Sequence, residues 1–233
     1  MKRHRLGQHY LVDQELAGRM VSYAAIGPGE RVLEIGTGRG TLTRLLTGRG
    51  ASLTGYEVDP VNHEETVRAL EGTGADIRLG DAFEATPGFD VLVASLPYSE
   101  SSAFVDWLSR AKFSRAVVML QEDFIRKLTA PPGDRDYRGV SALAQVAFDV
   151  KVLERVGREA FSPRPRVNSA LVSIAPRRVV TQEEESKIAR LFSLRRREVA
   201  GALAELGMKG QGDYGRRRVY SLMPSEVHEI CRR

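Results

Sequence analysis

The feature that most restricts what this chain can become is a glycine turn. An apolar run at 32–35 leads into Gly36, Gly38 and Gly40, and residues 41–46 then place Leu42, Leu45 and Leu46 at helical spacing. A buried strand passing through a tight turn into a helix is the opening βα unit of a nucleotide-binding sheet. Glycine lets backbone approach a ligand that a Cβ would repel, and the free N–H groups at the helix start favour polar or negative ligand atoms. The next expected strand, 52–57, ends in Glu57, about 20 residues beyond the glycines, where an acid accepts hydrogen bonds from both hydroxyls of a ribose. The ligand then contains a nucleoside, and both NAD and S-adenosylmethionine fit. The Gly-x-Gly-x-Gly spacing departs from the dinucleotide Gly-x-Gly-x-x-Gly, and Glu34 is badly placed to face a pyrophosphate. S-adenosylmethionine is the preferred reading.

Further strands are expected at 76–80, 90–94 and 116–120, alternating with helices at 61–70 and beyond Ser99, which is expected to cap the helix carrying Phe104, Trp107 and Leu108. Asp13 is expected to cap a helix from Gln14 to about Ala25. Alternating strands and helices predict an α/β fold with a parallel, doubly wound sheet. Segments 150–156 and 168–174 read as an added antiparallel pair at the sheet edge. After a linker at 176–180, Thr181 and Glu184 have the spacing of a capping box, and helices near 181–193, 195–206 and 224–231 predict a small C-terminal α-helical domain. The expected division is 1–176 and 177–233.

Charge separates these parts. Residues 1–150 carry 17 Lys+Arg against 20 Asp+Glu, whereas 151–233 carry 18 against 10. A basic C-terminal third predicts a polyanion partner such as RNA, because Lys and Arg bind phosphate and release counterions. The single Cys231 excludes a disulfide framework and a multi-cysteine zinc site, and no metal centre is expected. No apolar stretch is long enough to span a bilayer, so a cytoplasmic protein without a membrane partner is expected; the expected oligomeric state is a monomer, on which the sequence itself is silent.

In a doubly wound sheet ligands sit beyond the C-terminal strand ends. Four such ends carry suitable residues: the glycines, Glu57, Asp81 and the tetrapeptide Ser-Leu-Pro-Tyr at 95–98. Asp81 suits an adenine amine, since a carboxylate accepts and does not donate. The tetrapeptide has the form [Asn/Asp/Ser]-x-Pro-[Tyr/Phe] found in enzymes that methylate exocyclic amines of bases. Such an amine is a poor nucleophile because its lone pair is delocalised into the ring. Acceptors for its two N–H groups favour a pyramidal nitrogen; the Ser95 hydroxyl and the Leu96 carbonyl are expected in that role. Pro97 stiffens the turn, and Tyr98 offers a face on which a base stacks. The four histidines, His4, His9, His63 and His228, show no obvious acid–base partner, which weighs against an NAD oxidoreductase.

Taken in order, several segments resemble the KsgA/Dim1 family of small-subunit rRNA adenine N6-dimethyltransferases. They are Leu-Gly-Gln-His-Tyr-Leu-Val-Asp at 6–13, Glu-Ile-Gly-Thr-Gly-Arg-Gly-Thr-Leu-Thr at 34–43, Glu-Val-Asp at 57–59, Gly-Asp-Ala at 80–82 and the tetrapeptide at 95–98. Leu-Gln-Glu-Asp-Phe at 120–124, Tyr-Arg-Gly-Val-Ser at 137–141 and Ala-Phe-Ser-Pro-Arg-Pro-Arg-Val-Asn-Ser at 160–169 complete the series. The resemblance is dense over about the first 175 residues and looser beyond. It implies a Rossmann-like methyltransferase acting on two neighbouring adenines near the 3′ end of small-subunit rRNA during ribosome assembly. It places S-adenosylmethionine at His9, Leu11, Gly36, Gly38, Glu57, Asp81, Ala82 and Ser95. It makes Phe161 the partner of Tyr98 in holding a flipped adenine, and makes Arg195, Arg196 and Arg197 contacts to rRNA phosphates. The chain departs from the family's pattern at Ser95, where Asn is usual, and more mildly at Asn168, where Asp is common. Serine is shorter than asparagine and both donates and accepts. An alternative follows from that departure: a catalytically impaired assembly factor that binds small-subunit rRNA.

Overall fold

The computed structural model describes residues 9–85, 87–210, 212 and 214–232. The basic N-terminus, His4 and the first part of the 6–13 motif lie outside the described residues. The chain divides into two compact units: residues 1–101, 112–122 and 151–175 form the first, and 102–111, 123–150 and 176–233 the second. The segment 177–233 lies wholly in the second unit, together with two stretches from earlier in the chain.

In chain order the described elements begin with a two-residue strand, β1 (Tyr10–Leu11), and α1 (Gln14–Ala24). Asp13 caps α1 by accepting from the Leu16 N–H at 2.9 Å, as the sequence predicts. There follow β2 (Arg31–Ile35), α2 (Thr41–Leu46), β3 (Ser52–Glu57), α3 (Pro60–Ala69), β4 (Asp76–Leu79) and β5 (Val91–Ser95). A 3₁₀ turn over Tyr98–Glu100 leads into α4 (Ser101–Ser109), so the helix starts one residue later than a Ser99 cap implies; the Ser101 hydroxyl instead donates to the Tyr98 carbonyl at 3.1 Å. Next come β6 (Arg115–Gln121), α5 (Glu122–Leu128), α6 (Gly139–Ala147), β7 (Phe148–Val156), the short β8 (Phe161–Ser162) and β9 (Ser169–Pro176).

The main sheet has seven strands in the order β4-β3-β2-β5-β6-β9-β7. The β4–β3, β3–β2, β2–β5 and β5–β6 pairs are all parallel, and β9 runs antiparallel to β6 with Gln121 opposite Ser169. From β2 the chain builds outward to β3 and β4, then returns to the other side of β2 to lay down β5 and β6. That reversal is a topological switch point, and it places the ends of β2 and β5 side by side. The sequence of each strand reflects its depth. In β5 Val91, Leu92, Val93 and Ala94 are all buried, as a parallel strand covered on both faces requires, whereas the edge strand β4 leaves Asp76, Arg78 and Leu79 exposed. A separate antiparallel pair joins β1 to β8, with Tyr10 opposite Ser162 and Leu11 opposite Phe161. These two-residue strands leave no periodicity to read.

The second unit holds nearly all of α4 and α5, together with α6, α7 (Gln182–Ser193), α8 (Val199–Leu206) and α9 (Pro224–Cys231), with α6, α7 and α9 packed on one another. Tyr137 is fully buried there and meets Phe192 edge to face at 5.5 Å. The predicted capping box is half formed. Thr181 accepts from the Glu184 N–H at 3.1 Å, but the Glu184 carboxylate lies 2.5 Å from His228 Nδ1. His228 therefore has an acidic partner, within the helical unit, that its sequence surroundings do not reveal.

Candidate active site

At the switch point the backbone of the glycine turn is held from below. The Gly36 and Thr37 N–H groups donate to the Tyr56 carbonyl at 2.8 and 3.3 Å, which continues the β2–β3 ladder into the turn. Gly36, Gly38 and Gly40 then take φ values of +76°, +55° and +76°, a region that L side chains rarely enter. Gly38 is also short of space, since a Cβ there would lie 3.3 Å from the Tyr10 ring. The Gly38 N–H donates to Glu57 Oε2 at 2.7 Å, and Glu57 Oε1 accepts from the Asp59 N–H at 2.9 Å. Each carboxylate oxygen thus spends one lone pair on backbone and keeps another for a ligand. Thr66 completes the frame by donating to the Gly38 carbonyl at 3.0 Å.

These residues open onto a cavity of about 330 Å³. Its walls contain Gly36 and Gly38 after β2, Glu57 at the end of β3, and Asp81 and Ala82 after β4. Ser95 at the end of β5 and Leu96, Pro97 and Tyr98 after it, together with His9 and Phe161, complete them. Leu11 lines a smaller adjoining recess of about 50 Å³, with His9, Gly36, Gly38 and Ser95. The four strand ends singled out from the sequence therefore meet. Asp81 Oδ1 accepts from the Phe83 N–H at 2.8 Å, which fixes the carboxylate at the rim. Ser95 closes β5 opposite Met119, and its hydroxyl makes no hydrogen bond among the described residues. Tyr98 is half-buried, and its hydroxyl lies 2.8 Å from Ser169 Oγ. The His9 ring lies 5.7 Å from the Tyr98 ring and is held by Nδ1, 2.7 Å from the Pro163 carbonyl oxygen. Phe161 is 4% exposed, so its ring is divided between the core and the cavity wall.

Sequence reasoning missed several cavity residues. Tyr10 and Asn62 pair across the wall, Asn62 Nδ2 donating to the Tyr10 hydroxyl at 3.1 Å. Tyr10 lies within the 6–13 motif, whereas Asn62, on a helix of weak amphipathicity, carries no signal. The Arg39 guanidinium covers the Tyr10 ring at 4.7 Å. Glu34 is the polar exception in buried β2: 1% exposed, with neither oxygen hydrogen-bonded among the described residues. Burial, reinforced by the Glu57 charge and opposed by the nearby Thr43 hydroxyl, pushes its carboxyl up to about 8.

The three arginines expected on RNA belong to the helical unit and differ in their engagements. Arg195 Nη1 donates to the Arg135 carbonyl at 3.3 Å, and Arg197 is ion-paired with Glu205 at 2.9 Å. Arg196 is exposed, and its guanidinium has no partner among the described residues.

A parallel sheet with this switch point, a Gly-x-Gly-x-Gly turn and an acid closing the next strand define a Rossmann-like methyltransferase. The dimethyladenosine transferase of Plasmodium falciparum superposes with a TM-score of 0.80 at 23% identity, covering 95% of each chain. The 23S rRNA methyltransferase ErmE gives 0.67 at 26% identity over 96% of this chain and all of that one. The family model for ribosomal RNA adenine dimethylase matches residues 1–227. The probable ribosomal RNA small subunit methyltransferase A of Pyrococcus abyssi is 35% identical over 240 residues, covering 97% of this chain and 89% of that protein. The chain belongs to the ribosomal RNA adenine dimethylase family.

Proposed function

We propose that this protein is an S-adenosylmethionine-dependent rRNA adenine N6-dimethyltransferase that acts on adjacent adenines near the 3′ end of small-subunit rRNA during ribosome assembly. The observation that carries the reading is the convergence of Glu57, Asp81 and the 95–98 loop on one cavity of about 330 Å³, a volume in the range of small-molecule sites. The residues fit the cofactor. Glu57 retains acceptor capacity for two ribose hydroxyls, Asp81 offers an acceptor to an adenine amine, and the positive-φ glycines leave room where a Cβ would intrude. His9, Leu11, Ala82 and Ser95 complete its surroundings. When bound, S-adenosylmethionine supplies an electrophilic methyl group on a sulfonium.

The chain's own task is to present the nucleophile. The target base is taken out of its stack and held by Tyr98 with Phe161 as its partner. The Ser95 hydroxyl and the Leu96 carbonyl accept from the amine, drawing its lone pair away from the ring. Pro97, at φ −57°, holds that carbonyl in place. In this reading residues 1–176 carry the methyltransferase machinery. Residues 177–233 form a basic helical domain in which Arg195, Arg196 and Arg197 meet rRNA phosphates. In the same reading the protein works as a cytoplasmic monomer. Among the described residues no helix is long and apolar enough to cross a membrane.

Incubating purified small subunits with labelled cofactor, followed by mass spectrometry of the rRNA, tests the reading. N6-methylated adenines are expected near the 3′ end. Cofactor and subunit binding without any methylation would favour the alternative that rests on Ser95, an assembly factor with impaired catalysis.

A further inference from the structure

The 95–98 loop projects from β5, two strands away from β9. Its tyrosine nevertheless reaches β9, where the Tyr98 hydroxyl lies 2.8 Å from the hydroxyl of Ser169. Ser169 is fully buried and opens β9 opposite Gln121, so its position is fixed by the ladder with β6. The stretch between β8 and β9 also reaches the tyrosine's surroundings. Its Pro163 carbonyl holds His9, whose ring flanks Tyr98 at 5.7 Å. A half-buried aromatic ring on a loop is otherwise free to change rotamer, and a base-stacking face acts only if it waits in one orientation.

We propose that Ser169 is a positioning residue: its hydroxyl tethers the Tyr98 hydroxyl to β9 and so fixes the orientation of the ring against which the target adenine is held. The inference rests on the proposed function, in which Tyr98 faces the base, and adds a residue to it that touches neither base nor cofactor. The bond is not explained by Ser169 alone. A buried serine in a strand satisfies itself equally well on a nearby backbone carbonyl, yet this one is paired with the only side chain of the loop that offers a π-face.

The test uses the full chain, small subunits and labelled S-adenosylmethionine. Ser169→Ala and Tyr98→Phe remove the two ends of one hydrogen bond. Each is expected to lower kcat about tenfold while the calorimetric Kd for the cofactor stays within about twofold, and the double variant is expected to be no slower than either single one. Wild-type rates in Ser169→Ala, or losses that multiply to about a hundredfold in the double variant, would overturn the tether. If Ser169→Ala does not fold, Tyr98→Phe alone decides, since it deletes the same bond without disturbing β9; unchanged kcat in that variant refutes the proposal. Should the wild-type protein methylate no subunit, the functional reading fails and the tether is judged separately, by titrating the phenol in protein carrying ¹³C-labelled tyrosine. Burial raises the Tyr98 phenol and the Ser169 bond lowers it, so loss of the tether moves it further up, and an unmoved phenol refutes the bond.

Discussion

The Glu57 carboxylate accepts the Gly38 amide at 2.7 Å and thereby joins the end of β3 to the turn that follows β2. One side chain both shapes the turn and faces the cavity. Glu57→Ala is expected to weaken cofactor binding by roughly 10- to 100-fold, the worth of charge-assisted hydrogen bonds, and to lower Tm because a half-buried N–H loses its acceptor. Calorimetry and thermal melts read the two effects separately.

Gly55 lies in β3 beside the turn. A Cβ on it would stand 2.6 Å from Thr37 Cγ2 and 2.9 Å from Ile77 Cδ1. Gly55→Ala is expected to cost about 1–3 kcal/mol by overpacking and, by displacing Thr37, to weaken cofactor binding although it touches no ligand. Denaturant melts and calorimetry check both.

Glu34 makes stability depend on pH. Its carboxyl is raised from an ordinary 4.5 to about 8, so the folded state holds a proton that the unfolded state has released over that interval. The contribution is complete below about pH 4.5 and is lost as pH rises through about 8. Glu34→Gln, which carries no charge, is expected to flatten this slope and to exceed the wild type in Tm at pH 9, by roughly 2–4 °C for each kcal/mol recovered. Melts from pH 5 to pH 9 provide the comparison; parallel curves for the two proteins would contradict it.

Ser95 sits at the cavity with its hydroxyl uncommitted. Ser95→Ala is expected to lower the initial methylation rate by about tenfold through loss of an acceptor for the amine. Ser95→Asn, which brings an amide oxygen further into the cavity, is expected to raise the rate. Initial rates on isolated small subunits give the order Asn, Ser, Ala.

Of the three helical-unit arginines, Arg197 is already paired with Glu205, while the Arg196 guanidinium has no partner among the described residues. Arg196→Ala is expected to reduce the slope of log affinity for rRNA against log salt by about 1, and Arg197→Ala by less. Filter binding across a salt series measures both slopes.

Much of the sheet is legible in the sequence because a parallel strand covered on both faces reads as an unbroken apolar run. The β3 span of Ser52–Glu57 matches its expected limits, and α9 matches as well. The residues gathered at the strand ends are legible for a related reason: strand ends are where a switch point needs glycine, acid or a rigid loop. What stays hidden is set by contacts distant in sequence. Nothing local tells that Glu184 turns to His228, 44 residues away, or that Tyr98 is bound to Ser169, 71 residues on. The β1–β8 pair is hidden because strands of two residues have no pattern.

That small antiparallel pair has a consequence for how the protein is made. His9 and Tyr10 form one wall of the cavity, and they are held by partners at 161–163, about 150 residues later. A growing chain that has emerged only as far as β6 already contains the glycine turn, both acids and the 95–98 loop, but its first wall has nothing to fasten to. Closing so large a loop is slow compared with local folding. The first wall of the pocket is thus fastened only once residues 161–163 have been made, after every other segment that lines it.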